Sequence, residues 1–190
     1  MTDKKLAFGF GINRRPITYN SIEYNYVIKR CALMIRIDWQ KIKIFAIAIL
    51  IPVVLGTAVG LLISGSMDYG SLKQPPLAPP AVLFPIVWSA LYVLMGVSYG
   101  IIVSRGLDDT GAKAVYFSQL AVNLLWPVFF FVLKWRLFAF IWILILAVLV
   151  IVTAVRFYKR DKTAGLLQLP YVVWTVFASY LNLAAYILNG

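Results

Sequence analysis

Apolar positions run along this chain in long unbroken blocks, with the polar ones gathered between them. Five blocks, residues 44–63, 81–104, 114–133, 137–155 and 166–188, carry no Asp, Glu, Lys or Arg. Each approaches the roughly 20 residues that a helix needs to cross about 30 Å of hydrocarbon. Backbone amides in lipid must be satisfied within the segment or in a closed barrel, so unbroken apolarity at this length predicts helices, not strands. The pattern therefore predicts an all-α membrane protein, a bundle of five transmembrane helices spanning 41–190.

The connections between blocks differ in kind. Lys134-Trp135-Arg136 is barely a turn, which makes the third and fourth helices antiparallel neighbours. Residues 65–80 are far longer and carry Pro75, Pro76, Pro79 and Pro80. Proline removes a backbone donor and stiffens an extended chain, so this stretch reads as a shaped loop, a lid over one mouth of the bundle. Residues 1–40 have neither an apolar span nor a helical period. Two readings fit them: a disordered basic arm lying on anionic head groups, or a segment upstream of a natural start at Met34, which sequencing of the native N-terminus decides.

Composition narrows the function classes. Of 190 residues 62% are hydrophobic and 13% charged, too few polar groups to cover a water-soluble domain. The formal charge of +11 lies between the apolar blocks and forms no nucleic-acid patch. Basic residues concentrate on the cytoplasmic side of membrane proteins. Here the arm, the second-to-third connection (Arg105, Lys113) and the fourth-to-fifth (Arg156, Lys159, Arg160, Lys162) outweigh Lys73, Lys134 and Arg136 opposite. The N-terminus is expected in the cytoplasm, and an all-helical span set points to a bacterial plasma membrane. Histidine is absent and Cys31 stands alone, so no metal site, disulfide or ordinary hydrolytic machinery is expected.

Polar and amphipathic residues inside membrane helices mark the face turned away from lipid. Trp88, Tyr92, Gly96 and Tyr99 share one stripe of the second span. Gln119, Asn123, Trp126 and Phe130 share one of the third, and Tyr171, Trp174, Ala178 and Asn182, with Leu181 alongside, one of the fifth. The amides read equally well as glue between helices, Trp39 and Trp135 as interfacial anchors, and Trp142 as a lipid-facing ring. Trp88 and Trp174 each follow a proline and sit one turn from a second ring or a small residue, an arrangement that leaves a slot. Such a slot suits a flat, largely apolar guest with a few polar edges and no charge to neutralise: a tetrapyrrole or a fused aromatic compound. Gly56-x-x-x-Gly60 and Gly96-x-x-x-Gly100 allow close helix approach, within the bundle or between protomers. Pro127 predicts a kink and a freed acceptor beside the amide stripe.

The segment Leu72-Lys73-Gln74-Pro75-Pro76-Leu77-Ala78-Pro79-Pro80, followed by Phe84-Pro85-Ile86-Val87-Trp88-Ser89-Ala90-Leu91-Tyr92-Val93-Leu94-Met95-Gly96, resembles the signature of the TspO/MBR family, the tryptophan-rich sensory and translocator proteins. Gln119-Leu120 with Asn123 and Trp126, then Pro170-Tyr171 with Trp174, Phe177-Ala178 and Leu181-Asn182, resemble its later elements. The resemblance implies a five-helix bundle, commonly a homodimer, with a pocket under the first loop for porphyrins and isoquinoline or benzodiazepine compounds. It implies ligand contacts from Tyr69, Pro79, Phe84, Trp88, Tyr92, Asn123, Trp126, Trp174, Ala178 and Leu181. No cofactor is required; a protoporphyrin IX-like porphyrin is the implied ligand. The sequence departs from the family at Asp68-Tyr69, where a Trp-Tyr pair is usual, and at Gln74, where Lys is frequent. No basic residue follows Lys162, so the sterol motif of animal members is not matched and cholesterol is not expected.

A receptor or sensor for tetrapyrroles is the expected function. Light-dependent porphyrin degradation, with Trp88 and Trp174 as the catalytic relay, is the enzymatic alternative. Energised transport is least supported, because five uncharged spans offer no coupling group.

Overall fold

The structure, a computed structural model, describes residues 38–189. Residues 1–37, and with them most of the basic arm and Met34, lie outside the described residues. From Gln40 onward the chain forms one compact unit. Its regular elements are helical: α1 (Trp39–Ile63), α2 (Leu83–Ser104), α3 (Thr110–Pro127), α4 (Arg136–Arg160), the short α5 (Lys162–Leu166) and α6 (Leu169–Asn189). Two 3-10 turns, Ser64–Ser66 and Tyr69–Ser71, lie in the long loop, and a π turn at Val128–Val132 extends α3. Five helical runs are long and apolar enough to cross a membrane: Trp39–Ser66, Leu83–Ser104, Thr110–Val132, Arg136–Arg160 and Lys162–Asn189. The all-α, five-span bundle expected from the apolar blocks is the observed fold.

The ends of the spans differ from the apolar blocks for identifiable reasons. α3 starts four residues before the apolar block because Asp109 caps it, accepting from the Ala112 N–H at 2.7 Å. The helix thereby includes Lys113, whose ammonium pairs with Asp108 at 3.0 Å. α4 continues past residue 155 through Arg156 to Lys159 and Arg160, cations that suit the negative end of a helix and reach outward to the interface. α2 stops on a Schellman arrangement: Gly106, at φ +67°, donates to the Val103 carbonyl at 3.0 Å while Leu107 donates to that of Ile102 at 2.9 Å. The fifth span is broken at Leu167–Gln168, where α5 gives way to α6. Asp161 caps α5, accepting from the Ala164 N–H at 2.9 Å, and the Gln168 amide donates to the Ser98 hydroxyl of α2 at 3.0 Å.

Pro127 perturbs α3 as its missing N–H requires, by changing the ladder instead of simply bending it. The following turn bonds i to i+5, with Leu133 N–H on the Val128 carbonyl at 2.9 Å. The reversal into α4 then needs Lys134 at φ +56°. Gly56 and Gly96 serve approach within the bundle: a Cβ on Gly96 would stand 2.5 Å from the Ile49 Cα, and one on Gly56 would lie 2.1 Å from the Tyr92 ring. Trp142 departs from the lipid-facing reading. It is half-buried, donates to the Val122 carbonyl at 2.8 Å and stacks on Phe138.

Candidate functional site

The loop between α1 and α2 is fastened at several points. The Tyr69 hydroxyl donates to the Pro79 carbonyl at 3.0 Å, closing the loop on itself. Burial pushes this phenol above its ordinary value, so it stays a donor throughout the neutral range. Tyr180 of α6 donates to the Pro76 carbonyl at 2.8 Å. Asn189 both accepts from the Lys73 N–H at 2.8 Å and donates to the Lys73 carbonyl at 3.1 Å, which pins the loop to the end of α6. On the other side Asp68 takes Lys134 at 3.1 Å and Arg136 at 3.9 Å, tying it to the α3–α4 reversal. The lid expected from the prolines is thus a strapped cover, and Asp68, the departure from the family pattern, is one of its straps.

Beneath it lies a cavity walled by rings from three spans. Tyr69 meets Phe84 edge-on at 4.9 Å, and Phe84 meets Trp174 at 6.0 Å. Trp88 of α2 stacks on Trp126 of α3 at 6.3 Å, and Trp126 on Phe130 at 5.4 Å. On α6, Trp174, Ala178, Leu181, Asn182 and Ala185 recur at helical spacing and complete the wall. Small Ala178 and Ala185 leave the gap that the rings do not fill. Two cavity-side polar groups differ. The Trp126 indole donates to Asn182 at 2.9 Å, whose amide donates in turn to the Ala178 carbonyl at 2.7 Å. The Trp174 indole N–H is buried with no hydrogen-bond partner among the described residues. Buried donors are normally paired, so Trp174 holds a donor in reserve.

Of the residues singled out in the sequence, Tyr69, Phe84, Trp88, Trp126, Trp174, Ala178 and Leu181 line this cavity together. Pro79 contributes instead the carbonyl that orients Tyr69. Tyr92 is turned against Gly56, its ring 6.0 Å from that of Trp88. Asn123 lies one turn deeper than Trp126, buried against Tyr171. Gln119 and Tyr116, also fully buried, carry polar atoms with no partner among the described residues. Leu72, Lys73, Pro75 and Phe131 also line the cavity but were not marked by helical phase. The loop residues have no period to read. Phe131 comes round because the π turn brings i and i+5 onto one face, 6.0 Å from Trp126.

The cavity holds about 30 Å³ in this conformation, room for a water or two. The rings, the two alanines and the strapped loop together make a narrow apolar chamber.

The pattern of the TspO/MBR family matches residues 48–188, the whole region that builds this chamber. The chain belongs to the TspO/MBR family. It is 41% identical over 123 residues to the tryptophan-rich protein TspO of Archaeoglobus fulgidus, covering 64% of this chain and 80% of that protein. It is 36% identical over 135 residues to the protein CrtK of Rhodobacter capsulatus, covering 70% and 84%. With the tryptophan-rich sensory protein of Cereibacter sphaeroides it shares 33% identity over 153 residues, 80% of this chain and 93% of the relative. This TspO/MBR protein is an integral membrane protein, and the resemblance read from its loop and ring motifs is borne out.

Proposed function

We propose that this protein is a membrane receptor or sensor that takes porphyrin-type tetrapyrroles, and related flat apolar ligands such as isoquinoline and benzodiazepine compounds, into the chamber under the loop. The observation that carries the reading is the convergence of Trp88, Trp126 and Trp174, from three different spans, on one cavity. Indole faces supply stacking area to a planar guest, and the idle Trp174 N–H supplies a donor for a polar edge. Bound drug-sized ligands occupy several hundred Å³, so the loop has to rise and the rings part to admit one. The straps on Asp68, Lys73 and Pro76 are hydrogen bonds and ion pairs at the water interface, which are the contacts in the molecule that open at least expense. The protein sits in a bacterial plasma membrane with its N-terminus in the cytoplasm, by the distribution of its cations, and works as a homodimer.

The test is a titration of tryptophan fluorescence with protoporphyrin IX in detergent or nanodiscs. Saturable quenching is expected from the wild type and its loss from a Trp88→Ala, Trp174→Ala double variant. Identical curves from the two proteins would refute the reading.

A further inference from the structure

The helical stripes suggest a guest with no charge to neutralise, but the charges at the loop end point elsewhere. Two cations, Lys134 and Arg136, stand there beside the carboxylate of Asp68. Lys134 is mostly solvated, whereas the Arg136 side chain is only 12% exposed. Its guanidinium lies 5.8 Å from the centroid of Phe130, a ring of the cavity wall that is itself stacked on Trp126. The ring series Trp88, Trp126, Phe130 therefore ends on a buried cation, one ring thickness from the chamber.

This arginine is incompletely used. It reaches Asp68 only at 3.9 Å through Nη2, and its Nη1 is buried with no hydrogen-bond partner among the described residues. On the carboxylate side Oδ1 of Asp68 is likewise buried and unpartnered. A guanidinium facing a carboxylate forms two parallel bonds when geometry allows, and here it forms none of normal length. Arg136 is also the first residue of α4, where the helix dipole disfavours a cation. Holding a half-satisfied arginine in that place makes sense if a better partner arrives. The residue that blocks it, Asp68, belongs to the loop and leaves with it when the loop rises.

We propose that Arg136 is the recognition group for a carboxylate on the ligand, and that Asp68 occupies its place while the loop is down. The inference rests on the chamber being the ligand site, and it narrows the ligand class to flat apolar acids. Protoporphyrin IX, with two carboxylates, and its dimethyl ester, with none, separate the two ideas. Arg136→Gln should weaken binding of the free acid on the order of tenfold, the worth of a charge-assisted hydrogen bond, and leave the ester unchanged within about twofold. Arg136→Lys, which keeps the charge and loses the fork, should fall between. The ester titration of the same variant reports that its chamber is intact. Equal losses for acid and ester, or an acid affinity untouched by Arg136→Gln, would overturn the proposal while the chamber reading stands. A wild type that binds neither compound would overturn both.

Discussion

Aromatic residues cluster at both ends of this bundle, and the two clusters behave differently. Away from the long loop, Tyr99 and Tyr116 lie face to face with centroids 4.0 Å apart and planes 9° from parallel, and Phe157 stacks beside them. All three are buried. Short connections close that end, held by ion pairs of Arg105 with Asp161, Arg160 with Asp109 and Lys113 with Asp108. At the loop end the rings meet at 4.9–6.3 Å and two alanines sit among them. The same residue types make a filled core in one place and a chamber in the other. What separates them is the size of their neighbours and the length of the chain that covers them, not the number of rings.

That contrast can be broken from either side. Phe157→Ala removes a fully buried ring from the filled end and should lower stability by about 3–5 kcal/mol, read as a large fall in Tm. Protoporphyrin quenching by the fraction still folded should be unchanged. Trp126→Phe at the open end keeps ring area and strands the Asn182 oxygen, so a loss of about 1–3 kcal/mol is expected, together with weaker quenching. If both substitutions changed stability and ligand affinity in equal proportion, the two ends would not be functionally distinct.

The smallest effect concerns pH. The Ala112 N–H first, and then Arg160, hold the Asp109 carboxyl below its ordinary 3.8. As pH falls, the unfolded chain therefore takes up the proton before the folded one does. The stabilisation is complete above the ordinary value and is lost as pH drops from there through the lowered value of the folded state. Thermal melts should show a shallow decline below about pH 4 in the wild type, consistent with an exposed carboxylate. Asp109→Asn, which can still cap α3, should flatten that component.

The five spans are legible in the sequence because lipid imposes one simple demand, continuous apolarity, and residues 44–63 or 137–155 meet it without exception. Their ends are less legible, since Lys113 and Arg156 belong to helices by backbone and to the water interface by side chain. Helical phase brings Trp88, Trp126 and Trp174 to one place because α2, α3 and α6 are regular around those positions. The same reasoning misses Phe131, where a proline has changed the pitch, and Lys73 and Pro75, where there is no pitch at all. The break at Leu167–Gln168 is flanked by Gly165 and Pro170, a helix-end and a helix-start signal that continuous apolarity hides, and it is held by the Asp161 cap and by Ser98 on another helix.

A chamber of only about 30 Å³ beneath a strapped loop also has a consequence in time. If the guest waits for the cover, raising its concentration accelerates occupancy only until the opening frequency sets the pace, and stopped-flow traces should level off to a plateau. Departure is delayed by the same barrier. A compound judged by a brief incubation and a quick wash would then seem feebler than it is at equilibrium, and slow-onset protocols are the appropriate assay for this site.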